Sequence, residues 1–149
     1  MNDHATYRRI AAIALRVALA LSFLSAVADR LGIWGPPESP NVAWGTFDSF
    51  VEYTGILLWF LPAATIPFFG WVATISEIVL AIGLISGYYL RWFALASALL
   101  LLTFALSMTF ALGMEPAFSY SVWTASASAF LLACFEPART AAPEPENVG

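Results

Sequence analysis

The chain contains no lysine, a single histidine (His4) and a single cysteine (Cys134) among 149 residues. With His4 alone, no bis-histidine haem or copper site is built within the chain. With Cys134 alone, there is no dithiol relay, iron–sulfur ligation or zinc-thiolate site. No phosphate-cradling glycine loop occurs either. Charge is scarce as well. Charged residues make up 11% of the sequence, against roughly a quarter in soluble domains, so the polar surface needed to coat a globule is missing. Six arginines and ten acids give a net charge of −4. That leaves no basic face for nucleic acid, and this partner class is excluded.

What is present is apolar. Hydrophobic residues account for 60% of the chain and the mean hydropathy is +0.79. Crossing about 30 Å of hydrocarbon takes about 20 apolar residues. Four stretches qualify, residues 10–31, 69–90, 92–112 and 118–135. None alternates with a period of two, and in lipid only helices or closed barrels satisfy their own backbone. The expectation is an all-α, four-helix membrane bundle, residues 10–136, with short tails at 1–9 and 137–149. The composition of the second tail, rich in Pro, Ala and Glu, reads as disordered.

The first stretch also has the form of a secretory signal. Arg8 and Arg9 precede it, and Ala26, Val27 and Ala28 make a small-x-small cleavage pattern. Arg16 interrupts what would be an uncharged core, and the other spans need a packing partner; a retained helix is expected. Arginine placement gives the orientation. Arg8, Arg9, Arg91 and Arg139 fall on one side, and Arg30 stands alone on the other with Asp29, Glu38, Asp48, Glu52 and Glu115. Both termini are therefore expected in the cytoplasm.

Residues 32–68 form a long outer segment. It opens on breakers, Gly35, Pro36, Pro37 and Pro40. Then Phe47, Phe50, Val51, Thr54, Leu57, Leu58 and Leu61 follow helical spacing, with Asp48, Ser49, Glu52 and Tyr53 largely opposite. This predicts an interfacial helix anchored by Trp44 and Trp59; the plainer alternative is a loop packed over the bundle.

Ionisable residues within spans are costly and are functional candidates by default. Arg16 and Glu77 stand out, with Thr74 and Ser76 adding hydroxyls. Neighbouring antiparallel spans and a long guanidinium arm make an Arg16–Glu77 pair the expectation. Such a pair either marks a polar pocket for a small headgroup such as a quinone, or only fixes helix register; the other alternative is that Arg16 snorkels alone to the cytoplasmic interface. Asp29 and Arg30, adjacent on a helix, point about 100° apart and each is expected to meet another partner. With Trp34, Trp44, Trp71 and Tyr120 they are expected to ring an outer mouth, or merely to form an aromatic belt. Ser121, Ala125 and Ala129, and likewise Thr103, Ser107 and Ala111, recur every four residues and read as close-packing faces.

The ordered set Leu15–Arg16, Asp29–Arg30–Leu31–Gly32, Glu77 within residues 75–84, Gly87 and Arg91 resembles the DoxX family of small bacterial membrane proteins. Residues 44–47, 60–62 and 120–123 look like one subgroup of it. The resemblance covers about residues 10–135 and implies a four-helix fold in the bacterial inner membrane. It also implies association with quinone-linked oxidoreductase systems, with other membrane or redox subunits, or a homo-oligomer, as partners beside the lipid bilayer. It supplies no catalytic residue and no cofactor held within the chain beyond a quinone. The alternatives from another class are a non-catalytic scaffold and a small-solute carrier, for which Gly83 is a candidate helix break.

Overall fold

The computed structural model describes residues 3–135, and among these every regular element is a helix. The elements are α1 (Asp3–Arg30), α2 (Phe47–Leu57), α3 (Ile66–Ser86), α4 (Leu90–Leu112), α5 (Met114–Ser119) and α6 (Val122–Phe135), with a single 3₁₀ turn, Ala63–Thr65, leading into α3. Three of them are long and apolar enough to cross a membrane: residues 4–30, residues 63–86 (the 3₁₀ turn with α3), and α4. α6, at 14 residues, covers only about 21 Å. These helices point to a membrane protein.

The core is shared by four helices. Leu19, Ala20 and Phe23 of α1 meet Leu80, Ala81 and Leu84 of α3, Leu90, Ala94 and Ala98 of α4, and Ala129, Leu132 and Ala133 of α6. α1, α3, α4 and α6 contact one another in that cyclic order, so the bundle closes on itself. Alanine dominates the seams because small side chains let backbones approach where lipid offers no hydrophobic drive to associate. Between α4 and α6 the Ser126 hydroxyl donates to the Ala98 carbonyl at 2.9 Å. The close-packing face of α4 is thus Ala94, Ala98 and Ala105, all buried, rather than Thr103, Ser107 and Ala111, of which Thr103 is exposed. On α6, Ala129 is buried as expected, but Ser121 is exposed and precedes the helix.

Helix ends explain the boundaries. α1 stops in a Schellman motif: the Ile33 amide donates to the Ala28 carbonyl and the Gly32 amide to that of Asp29, both at 2.9 Å. Gly32, at φ +72°, supplies the left-handed residue that this motif requires. α3 begins with proline in its first turn and ends at Gly87. The fourth predicted span, 118–135, is not one helix. Ser121 takes a left-handed φ of 56° between α5 and α6 and breaks it there. Residues 3–9, read from sequence as a tail, belong to α1; the tail at 137–149 lies outside the described residues.

α2 covers the first part of the predicted stretch and ends at Leu57, before Leu58 and Leu61, with the Thr46 hydroxyl accepting from the Ser49 amide at 3.2 Å as its N-cap. Phe50 and Thr54 face inward, while Asp48 and Glu52 are exposed or nearly so at its outer side. It packs on α3 and α4. The fit to α3 is close at Gly70, where an added Cβ would touch Val51, Phe47 and Phe50. Gly83, by contrast, breaks nothing. It lies inside continuous α3, where the Phe93 ring of α4 occupies the space that any side chain would need.

Candidate functional site

α1 presents Arg16, Leu19, Phe23, Val27 and Arg30 at spacings of three and four, hence on one face, and that face meets α3. The two arginines engage α3 at different heights, and neither does so as the spans alone suggest. The Arg16 Nε donates to the Leu84 carbonyl at 3.0 Å and its Nη2 to the Ile85 carbonyl at 3.1 Å. These carbonyls belong to the last turn of α3, which has no further helical amide to accept from and carries the negative end of the helix dipole. Arg16 is therefore a C-terminal cap of α3, not the partner of Glu77. Gly87 makes room for it, since a Cβ there would collide with the guanidinium.

Glu77 pairs with Arg30. Arg30 Nη2 donates to Glu77 Oε1 at 2.8 Å, and Nη1 lies 2.8 Å from Oε2. Nη1 also donates to the Thr74 hydroxyl at 3.1 Å, and that hydroxyl donates onward to the Gly70 carbonyl at 2.9 Å. The pair is enclosed, with 3% of the Arg30 side chain and 2% of the Glu77 side chain exposed. The guanidinium carbon sits 3.8 Å from the Phe50 ring centroid and 5.2 Å from that of Trp44. Cation–π contact of this kind gains strength when desolvated. One donor is left over: Arg30 Nε is buried without a hydrogen-bond partner. Glu77 stands eleven residues from the start of α3 and nine from its end, about 16 Å and about 14 Å respectively. The pair is thus near mid-height of that helix.

Asp29, next in sequence, turns the other way, as adjacent helical residues must. Its carboxylate accepts backbone amides from Ala43 at 2.8 Å, Trp44 at 3.4 Å and Gly45 at 3.1 Å. It thereby pulls the connection between α1 and α2 down over the end of α1. Gly45 (φ +69°) passes so close to Pro36 and Pro37 that a Cβ would overlap their backbone.

Of the residues singled out from sequence, Glu77, Thr74 and Arg30 come together, and Asp29 flanks them. Ser76 lies outside the hydrogen-bonded cluster, half-buried on α3. The expected mouth does not form as a ring. Asp29 and Arg30 are buried, whereas Trp34, Trp71 and Tyr120 remain exposed on the surface. The Trp34 indole donates to the Ser25 carbonyl at 3.0 Å, and Trp71 packs on Phe47 at 4.3 Å between centroids. Phe50 is a site residue that sequence reading misses, hidden as it is among the apolar positions of α2; its aromatic class is the one available signal. Among the described residues no group of three or more His, Cys, Asp or Glu side chains could hold a metal ion. An open cavity lies elsewhere. It is a groove of about 630 Å³ between α4 and α6, lined by Trp92, Leu95, Leu99, Trp123 and Phe130 among others.

A bundle of this kind, with one enclosed ion pair and apolar outer faces, is the class of protein that fold and site define. No protein-family model, curated protein or solved structure matches the chain.

Proposed function

We propose that this is a DoxX-like integral protein of the bacterial inner membrane that acts as a non-catalytic accessory subunit of a membrane oxidoreductase system. The observation that carries the accessory role is the closure of the Arg30–Glu77–Thr74 cluster. Both charged side chains are almost fully enclosed and pair with each other, so they present no exposed charge to a ligand headgroup. The redox association rests on the resemblance of residues 10–135 to that family.

In this reading α1, α3, α4 and the shorter α6 cross the bilayer with both termini in the cytoplasm. Arg8, Arg9 and Arg91, all exposed, lie at the end of the bundle where Arg16 caps α3, in keeping with the excess of arginine on cytoplasmic sides. α2 then lies at the outer interface, with Trp59, 72% exposed, at headgroup level.

A quinone-binding role is the second reading, and the groove between α4 and α6 favours it. Its apolar lining suits an isoprenoid tail better than the closed ion pair suits the head. Purification in mild detergent tests both. Co-purifying redox subunits, with quinone at no more than background, support the accessory role. Stoichiometric quinone that is lost in a groove-filling Ala127→Trp variant and kept in Glu77→Gln supports the second. Finding neither subunits nor quinone overturns the proposal.

A further inference from the structure

We propose that residues 31–46 form a latched strap that opens as a unit, independently of the four-helix bundle, and uncovers the Arg30–Glu77 pair. The fasteners at the ion pair come from two adjacent residues at the end of α1, and a further one is the Trp34 indole, which donates to the Ser25 carbonyl. The Asp29 carboxylate holds the strap by three consecutive amides, those of Ala43, Trp44 and Gly45. The Arg30 guanidinium holds it by the Trp44 ring.

The rest of the strap is held largely by its own bonds, though Trp44 also meets the Phe50 and Tyr53 rings of α2. Gly35 donates to the Gly32 carbonyl, Ser39 to that of Pro36, and Val42 to that of Ser39. Gly45 sits against Pro36 and Pro37. These local bonds survive when the strap lifts, so the unit moves without melting. Its hinges are ready-made: Gly32 at φ +72° just after α1, and the extended Thr46 (φ −144°) just before α2.

Closure is also incomplete in energy. The closed form leaves Arg30 Nε buried and unpartnered. An orphaned donor of that kind costs what its desolvation costs, and water restores it once the strap lifts. Local opening of units with few anchors is a normal mode of native proteins. Here Trp44 of the unit lies against the Arg30 guanidinium, so its opening admits water towards that pair. Removing the carboxylate at Asp29 removes one fastener and leaves α3, α4 and α6 untouched.

Hydrogen exchange followed by mass spectrometry on the full chain in lipid nanodiscs tests this. In the wild-type protein, amides 43–45 should exchange together, and faster than the amides of α3 and α4 at residues 77–84 and 94–105. In Asp29→Asn the strap amides should exchange about tenfold faster or more, the effect of losing a charged acceptor, with α3 and α4 unchanged. Labelling of Glu77 by a water-soluble carbodiimide should rise in parallel. Strap amides that exchange in step with α3 in the wild-type protein overturn the proposal, and that measurement decides the matter alone if Asp29→Asn does not fold. Strap rates unaltered by Asp29→Asn, or Glu77 labelling unaltered while the strap rates rise, overturn it equally.

Discussion

Arg30 meets a carboxylate, a hydroxyl and two aromatic rings at once, with almost no solvent to share the load. Removing one partner of such a pair leaves an uncompensated buried charge, which costs about 3–5 kcal/mol. Glu77→Ala should therefore lower stability by about that amount in reversible unfolding in mixed micelles. Arg30→Met combined with Glu77→Leu should cost much less than the two single changes summed, since the neutral pair strands no charge; additive losses would show that the two side chains are uncoupled. At the other end of α1, Gly87→Ala should destabilise by about 1–2 kcal/mol through its left-handed backbone alone, besides pushing Arg16 off the carbonyls of Leu84 and Ile85. Tyr53 supplies a pH test. Burial first, and repulsion from Tyr120 second, raise its phenol above the ordinary 10.0. A group whose folded value is raised contributes stability that is intact below the unfolded value and lost as pH rises through the folded one. That holds for a phenol too, because burial favours its neutral, protonated form. Thermal stability should thus fall above about pH 10, and Tyr53→Phe should flatten that fall.

At the scale of elements, the instructive case is the offset between α1 and α3. Residue counting leaves Arg16 and Glu77 about 8 Å apart in depth, within reach of a guanidinium arm, because each is measured from the edge of its own span. The folded helices are shifted along each other, so the last residue of α1 reaches Glu77 and Arg16 reaches the far end of α3. Sequence gives distances along a helix; it does not give the axial offset between two helices, which is set by side-chain packing over the whole seam. The face of α2 is legible, because its apolar and acidic positions separate cleanly at 3.6 residues per turn. The break at Ser121 is not, since a serine in a left-handed conformation carries no local signal. Gly83 offers a test at this scale. Gly83→Ala should cost about 1–3 kcal/mol by overpacking, and adding Phe93→Leu should return part of it in the same unfolding assay. No recovery would mean that the seam between α3 and α4 is not where the strain lies.

For the whole molecule, the four helices close a ring in which each is antiparallel to the next. Arg16 against the end of α3 fixes the first pair, and Arg8 over the Phe135 ring, at 5.5 Å, fixes α1 against α6. The end of α6 therefore lies beside the start of α1, and Cys134 there is exposed. With the proposed orientation, a membrane-impermeant maleimide should label Cys134 in inverted vesicles and not in intact spheroplasts; the reverse pattern would invert the topology. The architecture as a bundle of apolar helices is legible from composition and span length. The polar cluster is only partly so. Its members stand out one by one as charged or hydroxylated residues in apolar surroundings, but which arginine Glu77 meets depends on how the helices slide, and that is a property of the assembled bundle.

Arg16 and Arg30, the arginines of α1 that engage α3, stand fourteen residues apart, both on the α3 side. That spacing is two heptads, so they behave as two teeth of a gauge. A single residue inserted anywhere between them would turn Arg30 by about 100° and advance it by about 1.5 Å, swinging it away from Glu77 and carrying Asp29 away from its three amides. On the largely exposed stretch of residues 38–41, length can drift. Between Arg16 and Arg30 it is held to the residue.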